Sequence, residues 1–403
     1  MLTFEQARAR VISQISKLNR VTPTVNLSVG DAAGYVLAQD LIADRNYPSF
    51  DRATRDGYAV RASESIAGAT LSCIGEIKAG DALNQPLQKG TCIQIMTGAP
   101  VPPDADAVVM IEYTTRDKDL IHFQQSATKS QNIVPAGSEG AKDQLLLQSG
   151  TRLGYAELGL AAQIGATQLR CAKKPRVAIL STGDEIIPID ASPGPFQIRN
   201  SNSVSLAAQV REAGGEPVIL GNAPDRIEIL GDKIQQGLQE DLLVLSGGVS
   251  MGKYDLVEDV LKSLGATFCF DAVAIRPGKP AVFVMCNEKP VFGLPGNPVS
   301  TMVTFQLFVV PAIDLLSGAP ARPLPFLKAT LAQPMKEKPG MTHFLPARVQ
   351  FDSGEARVKP LPWQGSGDTV TMAKANCLLV VGSEIQALAA GENVNVLLRK
   401  DVA

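Results

Sequence analysis

Histidine is scarce in this chain of 403 residues, and its cysteines are scattered. The only histidines are His122 and His343, and none of the six cysteines forms a C-x-x-C pair. A zinc site built from cysteine and histidine is therefore not expected. Nucleophilic catalysis that depends on a histidine base is poorly supported for the same reason. Any chemistry must be carried by carboxylates, lysines and arginines, and the cysteines fit reduced thiols in a cytoplasmic core.

Net charge, targeting signals and long apolar runs are lacking as well. The 38 basic and 40 acidic residues leave a formal net charge of −2, so no bulk field draws the chain to nucleic acid or to a membrane surface. Met1 to Arg20 carries charges throughout, unlike a signal peptide. The longest apolar stretch, Met302 to Ile313, contains Pro311 and falls short of the ~20 residues that span a bilayer. We therefore expect a cytoplasmic protein that binds neither nucleic acid nor membranes.

At this length the chain is expected to form two to four domains. After a linker at Lys173-Lys174-Pro175, strand-forming and helical stretches alternate. This alternation predicts an α/β domain whose parallel sheet is covered by helices on both faces. Short strands and turns fill Ala69 to Leu153, and again Phe326 to Ala403 beyond a second linker at Pro320 to Pro325. The predicted fold class is multidomain α/β plus β, with a small barrel or sandwich at the C-terminus.

A glycine turn follows the most continuous apolar strand of the α/β region. Leu242 to Leu245 is that strand, Ser246-Gly247-Gly248-Val249-Ser250 closes it, and Leu256 to Leu264 has helical spacing. A strand, a glycine turn and a helix together aim backbone N–H groups at an anion. Asp255 lies where the helix begins, so it can cap the helix or hold a metal bound to the anion. An ordinary strand-to-helix turn with a capping Asp is the alternative.

Polar loops follow three of the predicted strands, at Thr182 to Glu185, Asn222 to Arg226 and Ser246 to Asp255. Ligands of open α/β sheets bind at the carboxyl ends of the strands, so the acidic residues of these loops are expected to gather at one rim. Clustered carboxylates need a metal ion or a cationic partner, because unpaired like charges repel. The three loops together favour a site for a phosphate and Mg²⁺. The acidic residues are Asp184, Glu185, Asp225 and Asp255.

Two turns rich in proline and glycine follow further along the chain. Arg276 to Pro280 ends a strand with two cations, Arg276 and Lys279, and Phe292 to Ser300 leads into an apolar helix. Proline and glycine hold the backbone in set geometries, so the two cations are expected to face the acidic rim. Surface residues in ordinary turns are the alternative. Thr97, at the end of an earlier strand, is either a turn residue or a hydroxyl donor to a phosphate or oxyanion.

Six motifs, in the same order along the chain, resemble those of one family, the molybdopterin molybdenumtransferases that include MoeA and the gephyrin E domain. Each motif is weak alone, and together they are specific and span nearly the whole chain. The matching stretches are Arg55 to Val60, Ile95 to Pro102, Leu180 to Glu185, Ser246 to Ser250, Pro277 to Pro280 and Gly293 to Pro298.

The resemblance implies an elongated homodimer with its active site at the subunit interface. The inserted domain of one subunit would face the α/β domain of the other, so that Asp56 and Thr97 complete a site built mainly by the partner. The implied segments are an N-terminal helix packing with the α/β domain (1–20), a bridging segment (21–44 and 141–173), an inserted β-rich domain (45–140), a molybdopterin-binding α/β domain (174–319) and a C-terminal β-barrel (323–403).

The resemblance also implies a reaction that converts adenylylated molybdopterin and molybdate into molybdenum cofactor and AMP, with Mg²⁺ neutralising charge at the phosphorus. The implied partners are the adenylyltransferase that makes the substrate and the proteins that accept the cofactor. The implied catalytic residues are Asp56, Thr97, Glu185, Asp225, Asp255 and Lys279. Glu185, Asp225 and Asp255 are the candidates for holding Mg²⁺. The implied pterin-binding residues are Ser246, Gly247, Gly248, Ser250, Pro295, Gly296, Asn297 and Pro298. Molybdate is assigned to Arg276, Lys279, Ser300, Arg348 and Ser366.

Three positions depart from the family pattern. Arg55 stands where members commonly have Met, Arg276 where they commonly have Lys, and Glu139 where an Asp is usual. Arginine does not replace lysine simply, so these departures leave the choice between molybdate and tungstate open. Three alternatives stay open too: a molybdopterin adenylyltransferase, a non-catalytic binding or scaffold protein, and a duplicated member without activity.

Overall fold

A six-stranded sheet organises the α/β part of the protein. The computed structural model describes residues 1–18, 20–82, 86–248, 256–352, 354–399 and 401. Four neighbouring strands of the sheet are parallel, as predicted. Each of the last two strands, at one edge, pairs antiparallel with the strand before it in the spatial order. In spatial order the strands are Glu216–Ala223, Arg176–Thr182, Leu242–Ser246, Lys289–Leu294, Val282–Cys286 and Thr267–Phe270.

One edge of this parallel-rich sheet is antiparallel. Strands Val282–Cys286 and Lys289–Leu294 are joined by only Asn287 and Glu288. Both of these residues have positive φ, +50° and +61°, as a two-residue hairpin of this type requires. Two residues cannot make the crossover that parallel strands need, so the two strands pair antiparallel.

Helices cover both faces of the sheet, as predicted. Successive residues of one strand enter different cores: Val177 and Ile179 pack on one face, and Ala178 and Leu180 pack on the other. This two-sided burial explains the uninterrupted apolar runs of these strands. The first face carries helices Phe4–Ser16, Ser201–Ala213, Pro298–Thr304 and Val310–Leu316, and the second carries Ile227–Gly237 and Leu256–Ser263.

The apolar stretch that seemed limited by Pro311 is longer than the sequence indicated. A continuous helix spans Pro298–Leu316, 19 residues, with a π-turn at Phe305–Val309. Pro311 has no N–H to donate to Leu307 O, and Arg8 Nη1 donates to that carbonyl instead at 2.8 Å. By length and composition this helix matches a membrane span, but 78% of its apolar window is buried within the protein. The helix therefore packs as a core helix of this protein. The expectation of no membrane contact stays a prediction.

The C-terminal strands close into a five-stranded barrel, which confirms the predicted barrel. Strand Ile275–Arg276 of the preceding α/β region pairs with the start of one barrel strand, at Thr342 and His343. Short helix Thr369–Lys374 precedes barrel strand Cys377–Val381 in the chain. In order around the barrel the strands are Thr342–Asp352, Glu355–Pro360, Phe326–Leu331, Asn393–Leu398 and Cys377–Val381.

Contacts divide the described chain into two units, each with its own core. The first comprises Met1–Ala38, Gly150–Gly154 and Gln168–Ala403 and holds the α/β sheet and the barrel. It adds a small sheet of Thr24–Ser28, Gln168–Ala172 and Val36–Leu37. In the same unit, buried Asp314 pairs with Arg152 and Arg322. The finer five-segment division stays a prediction.

The second unit comprises Gln39–Ser149 and Tyr155–Thr167 and is β-rich, as the turn-rich sequence predicted. Its main sheet has six strands, and helix Tyr155–Gln163 completes the unit. In spatial order the strands are Ala107–Met110, Gly57–Val60, Thr91–Ile95, Thr70–Ile77, Leu120–Phe123 and Thr114–Asp117, and two short pairs join Arg52–Ala53 to Ile133–Val134 and Leu41–Ile42 to Leu145–Leu147.

Candidate active site

A cavity of about 510 Å³ lies where parallel strands of the α/β sheet end. It therefore occupies the edge at which sheets of this kind bind ligands. Two loops that the sequence analysis singled out, the glycine turn and the second Pro/Gly turn, form part of its wall. The wall includes Thr182, Glu185, Asn202, Asp225, Ser246, Gly247, Gly248, Pro280, Pro295, Gly296, Asn297 and Pro298.

The glycine turn needs its glycines. Gly247 and Gly248 have φ of +94° and +63°, a region that other residues enter at a cost. A Cβ on Gly247 would stand 2.7 Å from Thr182 O, and one on Gly248 would stand 2.7 Å from Thr182 Oγ1. The buried hydroxyl of Thr182 has no hydrogen-bond partner among the described residues. The turn thus packs its bare backbone against Thr182. A side chain at either glycine would push the turn away from Thr182.

The Pro/Gly turn at Pro295–Pro298 forms the neighbouring part of the wall. Thr301 Oγ1 donates to Pro295 O at 2.5 Å and to Asn297 O at 3.0 Å, which holds the turn against the helix that follows. Pro298 occupies the first turn of that helix, where a missing N–H costs nothing. Ser366, on a loop of the C-terminal region, accepts a hydrogen bond from Val299 N–H at 2.9 Å. The predicted molybdate residue Ser366 therefore lies beside this turn.

Asn202 joins the two turns. Its Nδ2 donates to Ser246 Oγ at 2.8 Å and to Gly296 O at 2.7 Å. The sequence analysis did not assign Asn202 a role. Its position at the start of helix Ser201–Ala213 was the only signal available.

Carboxylates gather at the rim of the cavity, as predicted. Asp225 N–H donates to Asp184 Oδ1 at 3.2 Å, and Glu185 and Asp225 both line the cavity. Burial raises the pKa of the Asp225 carboxyl, and the charges of Asp184 and Glu185 raise it further. Arg199 is a cation in the wall of the same cavity, and the hard oxygen donors of the carboxylates are of the kind that Mg²⁺ prefers.

The described residues alone do not make a complete metal site. They contain no group of three or more His, Cys, Asp or Glu side chains placed to hold an ion. Asp255, the third predicted ligand, and Ser250, a predicted pterin contact, lie outside the described residues. The magnesium assignment therefore stays a prediction.

The cations of the Arg276–Lys279 turn are exposed and make no ion pair with another described residue. Arg276 pairs in register with His343, while Arg348 follows five residues later on the same strand, about 17 Å away at ~3.3 Å per residue. The register therefore does not bring Arg348 beside Arg276. Ser300 is 3% exposed within its helix. The molybdate assignment as a whole stays a prediction.

His343 is a feature that the sequence analysis missed. It is 1% exposed, and its Nδ1 lies 2.7 Å from Glu337 Oε2. This contact stands next to Arg276 in the sheet. The scarcity of histidine and its place in an apolar strand were the only signals in the sequence.

The second unit carries the remaining predicted site residues. Asp56 Oδ1 accepts hydrogen bonds from Thr97 N–H at 2.7 Å and from Thr97 Oγ1 at 2.8 Å. The N–H first, and the hydroxyl second, hold the pKa of the Asp56 carboxyl below its usual range. Glu139, one of the departures from the family pattern, pairs with Arg52 at 2.7 Å. The structure therefore brings Asp56 and Thr97 together, as an ionised carboxylate with an orienting hydroxyl.

Three family models together match most of the chain. A model described as the MoeA N-terminal region, domains I and II, matches residues 2–165. A model described as a probable molybdopterin binding domain matches residues 178–315, and the MoeA C-terminal region, domain IV, matches residues 328–398.

Curated relatives and solved structures agree with these matches. The chain is 34% identical over 400 residues to the molybdopterin molybdenumtransferase of Haemophilus influenzae, covering 98% of each chain. It is 31% identical over 394 residues to that of Staphylococcus epidermidis, covering 96% of this chain and 94% of the relative. The molybdopterin biosynthesis MoeA protein of Pyrococcus horikoshii superposes in two crystal structures with TM-scores of 0.72 and 0.79, at 31% and 27% identity, each over 99% of this chain and at least 99% of the relative.

Fold and site together define a multidomain α/β protein with a cavity at the carboxyl edge of its sheet, lined in part by a glycine turn. The chain belongs to the molybdopterin molybdenumtransferase family, the MoeA family. This confirms the family resemblance carried by the six motifs.

Proposed function

We propose that this protein is a molybdenum insertase, which takes adenylylated molybdopterin and molybdate and releases molybdenum cofactor and AMP. The observation that carries the proposal is the cavity lined by the glycine turn and by the turn at Pro295–Pro298. It lies in a chain that matches molybdopterin molybdenumtransferases over almost its full length. The bare backbone of Gly247 and Gly248 suits close approach by a phosphate. The pterin contacts in this proposal are Ser246, Gly247, Gly248, Ser250, Pro295, Gly296, Asn297 and Pro298.

Carboxylates at the cavity rim suit a magnesium ion in this proposal. Glu185 and Asp225 line the cavity, and their oxygens, with those of Asp255, would hold the ion. Mg²⁺ supplies positive charge that stabilises the departing phosphate. The like-charge contact between Asp225 and its acidic neighbours is the physical support for this assignment, because a cation would relieve it.

Molybdate is a tetrahedral oxyanion, so it needs cations and hydroxyl or N–H donors. Arg276 and Lys279 provide exposed positive charge on a turn that ends at Pro280, a residue of the cavity wall. The backbone carbonyl of Ser366 contacts Val299, directly after the turn at Pro295–Pro298. We include Ser300 and Arg348 in the molybdate set as the family resemblance implies, although neither lines the cavity in the described structure.

A cytoplasmic homodimer completes the proposal. Asp56 and Thr97 of one subunit would act on the substrate held by the other, with Asp56 kept ionised by its two hydrogen bonds from Thr97. The substrate would come from a molybdopterin adenylyltransferase, and the finished cofactor would pass to acceptor proteins. Sedimentation of the purified protein tests the dimer directly.

The function is tested by AMP release from adenylylated molybdopterin, with Mg²⁺ and with or without molybdate. We expect molybdate-dependent release, and we expect Lys279→Ala to raise the molybdate concentration needed for half-maximal release. Lys262→Ala is the matched control, because Lys262 is an exposed helix residue that contacts Glu258 and the ring of Phe268 and does not line the cavity. If folded dimer binds the pterin but releases no AMP with either molybdate or tungstate, the insertase proposal is wrong and a binding role replaces it.

A further inference from the structure

We propose that Asn202 is a positioning residue that fixes the shape of the cavity wall by tying two of its neighbouring turns together. The inference rests on the proposed function, since it concerns the cavity assigned to the pterin substrate. Asn202 would act through the turns it holds and not by contacting the reacting atoms.

This one amide contacts both turns, beside the hydrogen bond from Gly247 N–H to Leu294 O at 3.1 Å that also joins them. Asn202 Nδ2 donates to Ser246 Oγ, just before the glycine turn, and to Gly296 O in the turn at Pro295–Pro298. The two turns approach closely at this point, because a Cβ on Gly296 would lie 3.4 Å from the Cα of Gly247. A single donor group thus bridges two neighbouring backbone segments of the cavity wall.

The orientation of the amide is set by its partners. Reversing it would place Oδ1 about where Nδ2 now stands, 2.7 Å from the carbonyl oxygen of Gly296, so that two acceptors would face each other. In the present orientation Oδ1 is buried and has no hydrogen-bond partner among the described residues. Leaving a buried acceptor unpaired is unfavourable. The two hydrogen bonds of Nδ2 must therefore outweigh that cost, which indicates that the link matters for the geometry of the site.

The link is anchored in the core. Asn202 is the second residue of helix Ser201–Ala213, whose inner face buries Leu206 and Val210. Because that helix is fixed by packing, its first turn holds the glycine turn and the Pro/Gly turn in set positions. The cavity is thereby formed before the ligand binds, so less binding free energy is lost in ordering it.

The test compares two isosteric Asn→Asp substitutions at neighbouring positions. N202D removes Nδ2 and places a carboxylate oxygen against Gly296 O. N200D adds the same charge, but Asn200 uses only Oδ1 in its described contacts, accepting from Ser203 N–H and Ser181 Oγ, and Asp keeps that acceptor. An Asp in the first turn of the helix favours the helix in both variants. The pair therefore separates loss of the link from the addition of a negative charge.

Adenylylated molybdopterin is the probe, with its dissociation constant measured for the full-length protein, and hydrogen exchange reports the two turns. We expect N202D to bind at least about tenfold more weakly than N200D, the cost of one buried hydrogen-bond pair. We expect amide exchange to quicken at Ser246–Gly248, Gly296 and Asn297 in N202D alone, and N202D to unfold at a lower urea concentration than N200D because it loses two hydrogen bonds. A general structural defect would quicken exchange throughout the α/β sheet and would not confine it to these turns.

Equal affinity and equal exchange in N202D and N200D would overturn the inference. If N202D does not fold, Asn202→Ser decides the question by the same comparison, because serine is polar but too short to reach both turns. Failure of the insertase proposal is distinguished from failure of this inference by the wild type. Wild-type protein that binds the probe without releasing AMP refutes the insertase, and the comparison of N202D with N200D still stands.

Discussion

Gly248→Ala tests how tightly the glycine turn is packed in the cavity wall. Gly248 has φ of +63°, and an added Cβ would lie 2.7 Å from Thr182 Oγ1 and 2.9 Å from Val257 Cγ2. The left-handed backbone alone costs alanine ~1–2 kcal/mol. Overpacking adds ~1–3 kcal/mol, because Thr182 and Val257 are both buried. We expect the free energy of unfolding to fall by about 2–5 kcal/mol in total.

Gly265→Ala is the matched control for the backbone cost. Gly265 has φ of +76°, and a Cβ there would meet nothing within 4 Å. The control should lose only the ~1–2 kcal/mol of the left-handed conformation. The excess in Gly248→Ala, ~1–3 kcal/mol, corresponds to roughly 5- to 150-fold in the folding equilibrium.

Urea unfolding measures both variants, and pterin binding is measured beside it. Removing the hydroxyl with Thr182→Ala in the Gly248→Ala background should restore part of the lost stability, because the nearest clash is with Oγ1. If Gly248→Ala and Gly265→Ala unfold at the same urea concentration, the packing argument for the glycine turn is refuted.

Three further predictions concern carboxylates. Asp225→Asn should abolish Mg²⁺-dependent AMP release. It should also remove a loss of stability as pH rises above about 4, because the raised pKa of Asp225 disfavours its charged form in the folded state. Thr97→Val should shift the acid limit of AMP release to higher pH, because Asp56 loses a hydrogen bond that lowers its pKa. Asp314→Asn should lower the free energy of unfolding by about 3 kcal/mol, because it leaves buried arginine contacts unpaired.

Each of these substitutions has a control in the chain. Thr114→Val removes an exposed hydroxyl whose only described acceptor is a nearby carbonyl, so its pH profile should match the wild type. Asp232→Asn neutralises an exposed helix carboxylate and should change neither AMP release nor urea unfolding. An unchanged pH profile in Thr97→Val, or wild-type unfolding in Asp314→Asn, would contradict the contacts described for these residues.

Local patterns were enough to predict most elements of the α/β region. Helix Ser201–Ala213 begins at a capping Asn200 and ends at Gly214, whose φ is +96°, and both signals are visible in the sequence. The buried strand at Leu242–Ser246 was equally clear, because a two-sided core demands an unbroken apolar run. The acidic loops could be placed at one edge because parallel strands all end on the same side.

The sequence by itself determined the secondary structure, the strand ends that carry Glu185 and Asp225, and the family, because periodicity, turn chemistry and motif order are local properties. Only the tertiary structure decided that Asn202 reaches Ser246 and Gly296, residues 44 and 94 positions away. It also decided that Arg276 pairs with His343 and not with Arg348. Such contacts depend on the register between distant strands and on how helices pack, and no local pattern encodes either.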